Sequence, residues 1–374
     1  MPRNLAACLA LLLSGAALAA APQLPTVDAR AWLLLDVTSG QAIASRNPQE
    51  RIEPASLTKL MTAYIAFTAL KDRSLALGQT IRVSERAWHA GGSRMFIEPR
   101  KPVTVEELLH GLIIQSGNDA SIALAEAVAG SEPAFVERMN REAGRLGMVD
   151  TKFTNSSGMP GPGHYSTARD LALITSSLIR DYPEYYKLYS EREYRYNDIT
   201  QRNRNQLLWL DPNVDGVKTG HTESAGYCLI ASAQRGGRRL VSVVIGTVSE
   251  RLRARESQKL LNFGFQSYDA LRLYQKGDAI GKLEVWKGSE RELKAGVAAD
   301  LYVTVPRGSG DKLRAELVSQ QPLIAPVGAG QRVATLRVSH EGKPLAEYPV
   351  FALESVAAAG FLSRAWDSMR LWFR

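Results

Sequence analysis

Cysteine is nearly absent: Cys8 and Cys228 are the only two in 374 residues. Cys8 lies in an N-terminal leader, so the remaining thiol has no partner and an intramolecular disulfide is excluded. The five histidines show no metal-ligand spacing with cysteine, aspartate or glutamate, so neither metal catalysis nor any other cofactor is called for. Acidic residues are the minority, 38 against 46 basic, for a formal charge of +8; without Arg3 it is (46 − 1) − 38 = +7. The basic residues are scattered and lack the aromatic interleaving of a nucleic-acid platform, and such a charge suits an anionic surface or polymer instead.

What is present begins with "MPRNLAACLALLLSGAALAA". A positive start, a short apolar run and Ala17-Leu18-Ala19 read as a secretory signal peptide over residues 1–20, cleaved near Ala19 or Ala20. "AWLLLDVTSGQAIASRN" reads as two strands joined by a Ser-Gly turn. A helix opens near Pro54, and residues 104–147 are helix-rich. "NSSGMPGPGHYS" has the glycine and proline of a surface loop. "YCLIASAQRGGRRLVSVVIGTV" is a strongly β-prone hairpin, and "RARESQKLLNFGFQSYDAL" a helix. Strands at both ends with helices between and after them give the fold class: α/β (α+β), an antiparallel sheet covered by helices. From residue 273 short alternating runs such as "LYVTVPRG" mark a small all-β domain. The expected division is 21–272 for the first domain, 273–352 for the β-rich one and 353–374 for a terminal helix.

That last segment, "GFLSRAWDSMRLWFR", is amphipathic. At about 100° per residue, Phe361, Leu362, Ala365, Trp366, Met369, Trp372 and Phe373 share a sector. Ser363, Arg364, Asp367, Arg370 and Arg374 fall opposite, with Leu371 the exception. It is too short and too polar to span a bilayer, and its aromatics and arginines match a helix lying in the membrane surface.

Three short signals carry chemistry. In "PASLTKLMTAY" Ser56 and Lys59 stand three apart on one helix face. A lysine in apolar company tends to lose its proton, and a neutral amine activates a hydroxyl. The pair alone is ambiguous, because "SGDK", Ser309 to Lys312, repeats it in a turn-like segment. The second signal is Ser116-Gly117-Asn118 in "IIQSGNDAS", where glycine interrupts a helical run. The third is Lys218-Thr219-Gly220 in "DGVKTGHTESAGYCLIA", which offers an ammonium, a hydroxyl and a bare backbone position on a strand. Their order and settings, helix start, turn between helices, then strand, form the joint signature of serine acyl-transferring penicillin-binding proteins and class A β-lactamases.

The resemblance narrows further. "ASLTKLMTAY", "LLHGLIIQSGNDAS", "YSTARDLALI", "NRNQLLW", "VDGVKTGHTESAGYCLIASA" and "ESQKLLNFGF" resemble the D-alanyl-D-alanine carboxypeptidases among the low-molecular-mass penicillin-binding proteins. The likeness covers the chain after the leader. One departure is "WHAGGSRMFIEPRK", residues 88–101, shorter than in close relatives. The resemblance implies that Ser56 is the nucleophile, Lys59 its base, Ser116 the relay to the departing amine and Asn118 the group that holds Lys59 and the substrate amide. It implies that Lys218 and Thr219, on the strand that includes Gly220, bind the substrate's terminal carboxylate. Arg204 and Arg253 lie nearby, and the backbone N–H groups of Ser56 and His221 form the oxyanion hole. The implied partners are peptidoglycan stem peptides ending in D-Ala-D-Ala, β-lactams as covalent inhibitors, and a membrane surface through the terminal helix. The implied location is the periplasmic face of the cytoplasmic membrane.

Rival functions differ in definite residues. A class A β-lactamase needs a glutamate about 35 to 40 residues beyond the Ser-x-Asn turn to activate the deacylating water. Residues 151 to 156 read "TKFTNS" here. A D,D-transpeptidase or endopeptidase shares the acylation step and differs in acceptor or substrate. A non-catalytic wall-binding protein would have lost the nucleophile or base, and both are present.

Overall fold

The computed structural model describes residues 22–319 and 321–372. The signal-peptide reading and the side chains of Phe373 and Arg374 lie outside the described residues.

Strand Ala31–Asp36 alternates its side chains between two buried surfaces. Ala31 and Leu33 join one apolar cluster, Trp32 and Leu34 another. The same period of two runs through Arg238–Thr247, with Val241, Val243 and Ile245 on the first side and Leu240 and Val244 on the second. A strand that is apolar on both faces must be covered on both. The five-stranded sheet is accordingly a middle layer, antiparallel throughout. Its spatial order is Gln41–Arg46, Ala31–Asp36, Arg238–Thr247, Gly226–Arg235, Val214–Thr222. Helix Glu250–Ser267 packs on one face through Ala254, Leu260, Leu261 and Phe265. The other face meets helix Ala168–Asp181, and behind that helix lies helix Lys59–Lys71, buried on nearly every side from Lys59 to Leu70. A helix apolar all round belongs at the centre of a domain, and this placement fixes the sheet and the serine-lysine turn against each other.

Helix Glu250–Ser267 stops earlier than the sequence suggests. Tyr268–Tyr274 is a strand paired with Leu301–Pro306, and the alternating Tyr-Asp-Ala-Leu-Arg-Leu-Tyr run overrides the helical continuation. Beyond it a sheet ordered Leu313–Ser319, Arg332–His340, Lys343–Ala352, Glu292–Gly296, Ala279–Trp286, Leu323–Ile324 encloses a separate core of valine, leucine and alanine. The expected fold class, a helix-covered antiparallel sheet followed by a β-domain and a terminal helix, is what the chain adopts. Helix Phe361–Trp372 closes the described chain.

A buried carboxylate joins the two cores. Asp36, without solvent exposure, pairs with Arg238 at 2.8 Å and accepts a hydrogen bond from Thr304 Oγ1 at 2.8 Å. Gln41 Oε1 accepts from the Thr304 backbone N–H at 2.6 Å. Removing one partner of a buried ion pair leaves the other uncompensated, which costs about 3–5 kcal/mol. Asp36→Ala is expected to lower unfolding stability by about that amount, and Thr304→Val by about 1 kcal/mol. Urea titration of both variants checks the ranking; equal midpoints would show that the carboxylate is not the joint.

Candidate active site

Ser56 sits in a short 3-10 turn, Ala55–Thr58, that feeds helix Lys59–Lys71. It caps neither element: the residues at the two N-cap positions are Pro54 and Thr58, and neither makes a side-chain cap bond. The preceding Ala55 takes φ +48°, a left-handed conformation uncommon for a residue with a Cβ. Such strain at a single residue beside a reactive group is a recurring mark of functional sites.

Lys59 is almost completely buried, and its Nζ lies 3.2 Å from Ser56 Oγ, 2.6 Å from Asn118 Oδ1 and 2.6 Å from the Ser157 carbonyl oxygen. The last two atoms only accept, so each takes an N–H. A neutral amine has two N–H bonds and one lone pair; with both N–H bonds so used, the lone pair faces the serine hydroxyl. Burial is the main reason that the Lys59 pKa falls to about 7, the Arg204 guanidinium is the second, and Asp119 opposes both. A base with its pKa near working pH transfers protons most effectively.

Ser116 takes φ +67° and ends a π-helical turn, Gly111–Gln115, ahead of helix Asn118–Ala129. Its hydroxyl is buried and has no hydrogen-bond partner among the described residues. An orphaned buried hydroxyl is costly, and this one lines the cleft. Asn118 gives its oxygen to Lys59, while its Nδ2 donates to the Gly91 carbonyl at 2.6 Å. Lys218, Thr219 and Gly220 lie on strand Val214–Thr222, which crosses the serine turn at Gly220. A Cβ on Gly220 would approach Pro54 O and Leu57 Cγ to 3.2 Å.

The cleft is a cavity of about 510 Å³ whose wall includes Ser56, Ser116, Asn118, Ser157, Arg204, Thr219, Gly220, His221 and Arg253. Lys59 and Lys218 stand behind that wall. Lys218 is buried, donates to Thr219 O at 3.2 Å, and is pushed well below the ordinary lysine value, first by burial and then by Lys59, Arg204 and Arg253. Arg253 is buried too; it donates to Gly220 O and pairs with Glu250, each at 3.3 Å. Arg204 is exposed at the rim, and His221 stacks on Tyr227 with ring centroids 4.0 Å apart. All ten residues singled out from the sequence gather at or directly behind this one cavity. The second Ser-x-x-Lys does not assemble. Ser309 Oγ donates to Pro306 O at 2.6 Å, and Lys312 pairs with Glu341 at 2.6 Å in the β-domain.

Sequence reasoning missed the loop read as surface, residues 155–166. Ser156, Ser157 and His164 are buried. Asn155 Oδ1 accepts from the backbone N–H groups of Ser157, Gly158 and Met159, at 3.2, 2.7 and 3.1 Å. Gly158 presses so close to Ala55 that a Cβ there would lie 1.8 Å from its carbonyl oxygen. His164 fastens the loop from below. Its Nδ1 accepts from the Thr154 N–H at 3.1 Å, which leaves the proton on Nε2, 2.8 Å from Thr58 Oγ1. Burial lowers the His164 pKa to about 4, so the ring is neutral at working pH. Also missed was Asp119, whose carboxylate accepts from the N–H groups of Met95, Phe96 and Ile97 at 3.0, 2.8 and 3.3 Å. The one available signal was its place beside Asn118.

Proton uptake by Lys59 requires its neutral form, so the rate of Ser56 acylation by a labelled penicillin is expected to rise with pH through an inflection near 7. Lys59→Arg, which stays charged, is expected to lose both the rate and the inflection. An unchanged profile in that variant would remove Lys59 from the role of base.

The family described as D-alanyl-D-alanine carboxypeptidase matches residues 18–249, and that described as penicillin-binding protein 5, C-terminal domain, matches residues 268–358. The D-alanyl-D-alanine carboxypeptidase DacC of Escherichia coli (strain K12) is 43% identical over 357 residues, covering 93% of this chain and 89% of that protein. The crystal structure of penicillin-binding protein 5 from Haemophilus influenzae superposes with a TM-score of 0.85 at 38% identity, over 90% of this chain and 99% of that one. Penicillin-binding protein D2 from Listeria monocytogenes, in its ampicillin-bound form, matches at TM-score 0.60 and 30% identity, over 65% of this chain and 99% of that one. With its larger domain matched along nearly all of its length, and its cleft built from the three motifs in the expected order, the chain belongs to the D-alanyl-D-alanine carboxypeptidase family.

Proposed function

We propose that this protein releases the terminal D-alanine from peptidoglycan stem peptides ending in D-Ala-D-Ala, with Ser56 as the nucleophile. The observation that carries the reading is the Lys59 amine, buried, depressed to about 7 and 3.2 Å from the Ser56 hydroxyl. Ser56 Oγ gives its proton to Lys59 Nζ and attacks the carbonyl carbon between the two D-alanines. The backbone N–H groups of Ser56 and His221 hold the oxyanion. On collapse the C–N bond breaks, and the departing amine takes a proton by way of the Ser116 hydroxyl. The substrate's terminal carboxylate is received by Thr219 and Lys218, with Arg204 and Arg253 beside them. Water then cleaves the acyl ester and restores Ser56. Penicillins enter the same acylation step and remain as the stable ester, since Glu250, the one acidic residue among the described lining residues, is engaged by Arg253.

Ser56→Ala is expected to abolish both D-alanine release and penicillin labelling, and Ser309→Ala to change neither. D-alanine measured by an oxidase-coupled assay, beside a fluorescent penicillin gel, decides it; equal loss in both variants would end the assignment.

This reading includes export by the leader, a division of the chain at residues 21–272, 273–352 and 353–374, and attachment of the terminal helix to the outer face of a membrane. The orientation of the helix supports attachment. Its polar side serves its own domain: Asp367 accepts from the Lys287 N–H at 2.8 Å, and Arg370 lies 5.4 Å over the Trp286 ring. Phe361, Leu362, Trp366 and Met369 face solvent. No helix among the described residues is long and apolar enough to cross a membrane, so the attachment is to the surface. Each large side chain contributes about 1.5–3 kcal/mol when fully buried. Phe361→Glu with Trp366→Glu is therefore expected to weaken binding to phosphatidylglycerol vesicles by about two orders of magnitude or more. Flotation of the full chain measures it; undiminished binding would place the membrane contact elsewhere.

A further inference from the structure

Beside the catalytic cleft lies a second cavity of about 580 Å³, lined by Glu85, Trp88, Arg94, Phe96, Ile97, Glu98, Pro99 and Arg100. Arg94 and Phe96 line both cavities, so the two adjoin there. The partition between them is a built feature. Phe96 takes φ +70°, unusual for a bulky residue, yet it is two-fifths exposed and gains little by burial. The conformation is held from outside by the buried Asp119 carboxylate, which takes three consecutive backbone N–H groups. It is held again by the hairpin of strands Glu193–Tyr196 and Ile199–Arg202. There Gln201 Nε2 donates to Arg94 O at 3.0 Å, and Asn197 Nδ2 to Glu98 at 3.0 Å.

The held conformation presents one charged group. The Arg94 guanidinium lies over the Phe96 ring at 5.1 Å, and among the described residues it has no carboxylate partner. Arg100, an exposed residue of the second cavity, has none either. The two acidic residues there are engaged, Glu98 by Lys101 and Asn197, Glu85 by His89 at 3.5 Å. An unpaired guanidinium stacked on an aromatic ring is pre-organised to receive a carboxylate.

The direction of the substrate tells which carboxylate. In the reading above, its terminal carboxylate occupies the Thr219–Arg204–Arg253 end. The acyl portion must leave the cleft past another wall, and Gly92, Ser93, Arg94 and Phe96 form one beside Asn118. We propose that Arg94, stacked on Phe96 at the mouth of the second cavity, is a specificity-determining residue that binds an acidic group on the acyl side of the peptide substrate, upstream of the scissile bond.

The inference rests on the carboxypeptidase reading, and two peptides separate their failures. N-acetylated X-D-Ala-D-Ala is prepared with X as glutamate or as the isosteric glutamine, and kcat/KM for D-alanine release is measured at low salt. The intact enzyme is expected to prefer the glutamate peptide by about tenfold, the scale of one charge-assisted hydrogen bond. Arg94→Gln is expected to bring the ratio near one, and Arg94→Glu to invert it. Equal turnover of the two peptides by the intact enzyme, or a ratio kept in Arg94→Gln, overturns the subsite and leaves the carboxypeptidase reading standing. Release from neither peptide overturns both.

Discussion

Everything in the cleft depends on keeping one lysine dry. Lys59 is almost completely buried, and among the described residues its Nζ meets two carbonyl acceptors and one hydroxyl and pairs with no carboxylate. Excluding water takes the whole fold. The helix that begins at Lys59 is buried along nearly its full length, with helix Ala168–Asp181 between it and the sheet. Asn118 and the Ser157 carbonyl close the remaining directions. Each closing group has its own support: Asn118 is tied to Gly91, and the Ser157 loop is tied to Asn155, Glu132 and, through His164, to Thr58. The positive charges are arranged with equal economy. Arg204 depresses both lysines behind the wall, and Arg253 adds to the effect on Lys218.

The parts that could be read in the sequence are those in which one residue type performs a local task. The β-prone runs "AWLLLD" and "VSVVIG" announced strands of the central sheet, and the three short motifs announced the chemistry by their order. The decoy at Ser309 could not be dismissed by its own letters, because Ser-x-x-Lys states a spacing and not a burial. Its serine is satisfied by Pro306 and its lysine by Glu341, so neither perturbs the other. Other parts were illegible for a physical reason. "NSSGMPGPGHYS" has the composition of a solvated loop, but backbone groups can be buried in a loop if side chains accept their N–H bonds. Asn155 and Glu132 do so here, the second from 24 residues away. Asp119 was hidden likewise: its partners at residues 95–97 are remote in sequence and are backbone atoms, which leave no mark in the letters.

Asp119 also shows how a short loop becomes a rigid wall. The segment 88–101 has almost no regular structure, and a loop so short and polar is ordinarily mobile. Three N–H groups on one buried carboxylate, with a hairpin clamp at Gln201 and Asn197, remove that freedom. The same aspartate follows Asn118 in the first turn of helix Asn118–Ala129, so the position of the wall and that of the Lys59 acceptor are set by adjacent residues.

The terminal helix follows an opposite rule from the rest of the chain. In the helices of the first domain the apolar stripe faces inward; here Asp367 and Arg370 turn toward the β-domain, and Phe361, Leu362 and Trp366 turn away. Leu371, out of place on the polar side of the helical pattern, borders Glu284 and Pro322 of that domain and so explains its own exception. A helix docked by its polar side is held by few contacts, each partly exposed and weak in water. Such docking stabilises little by itself, but it fixes direction. With the polar side committed, Phe361, Leu362 and Trp366 point away from the β-domain.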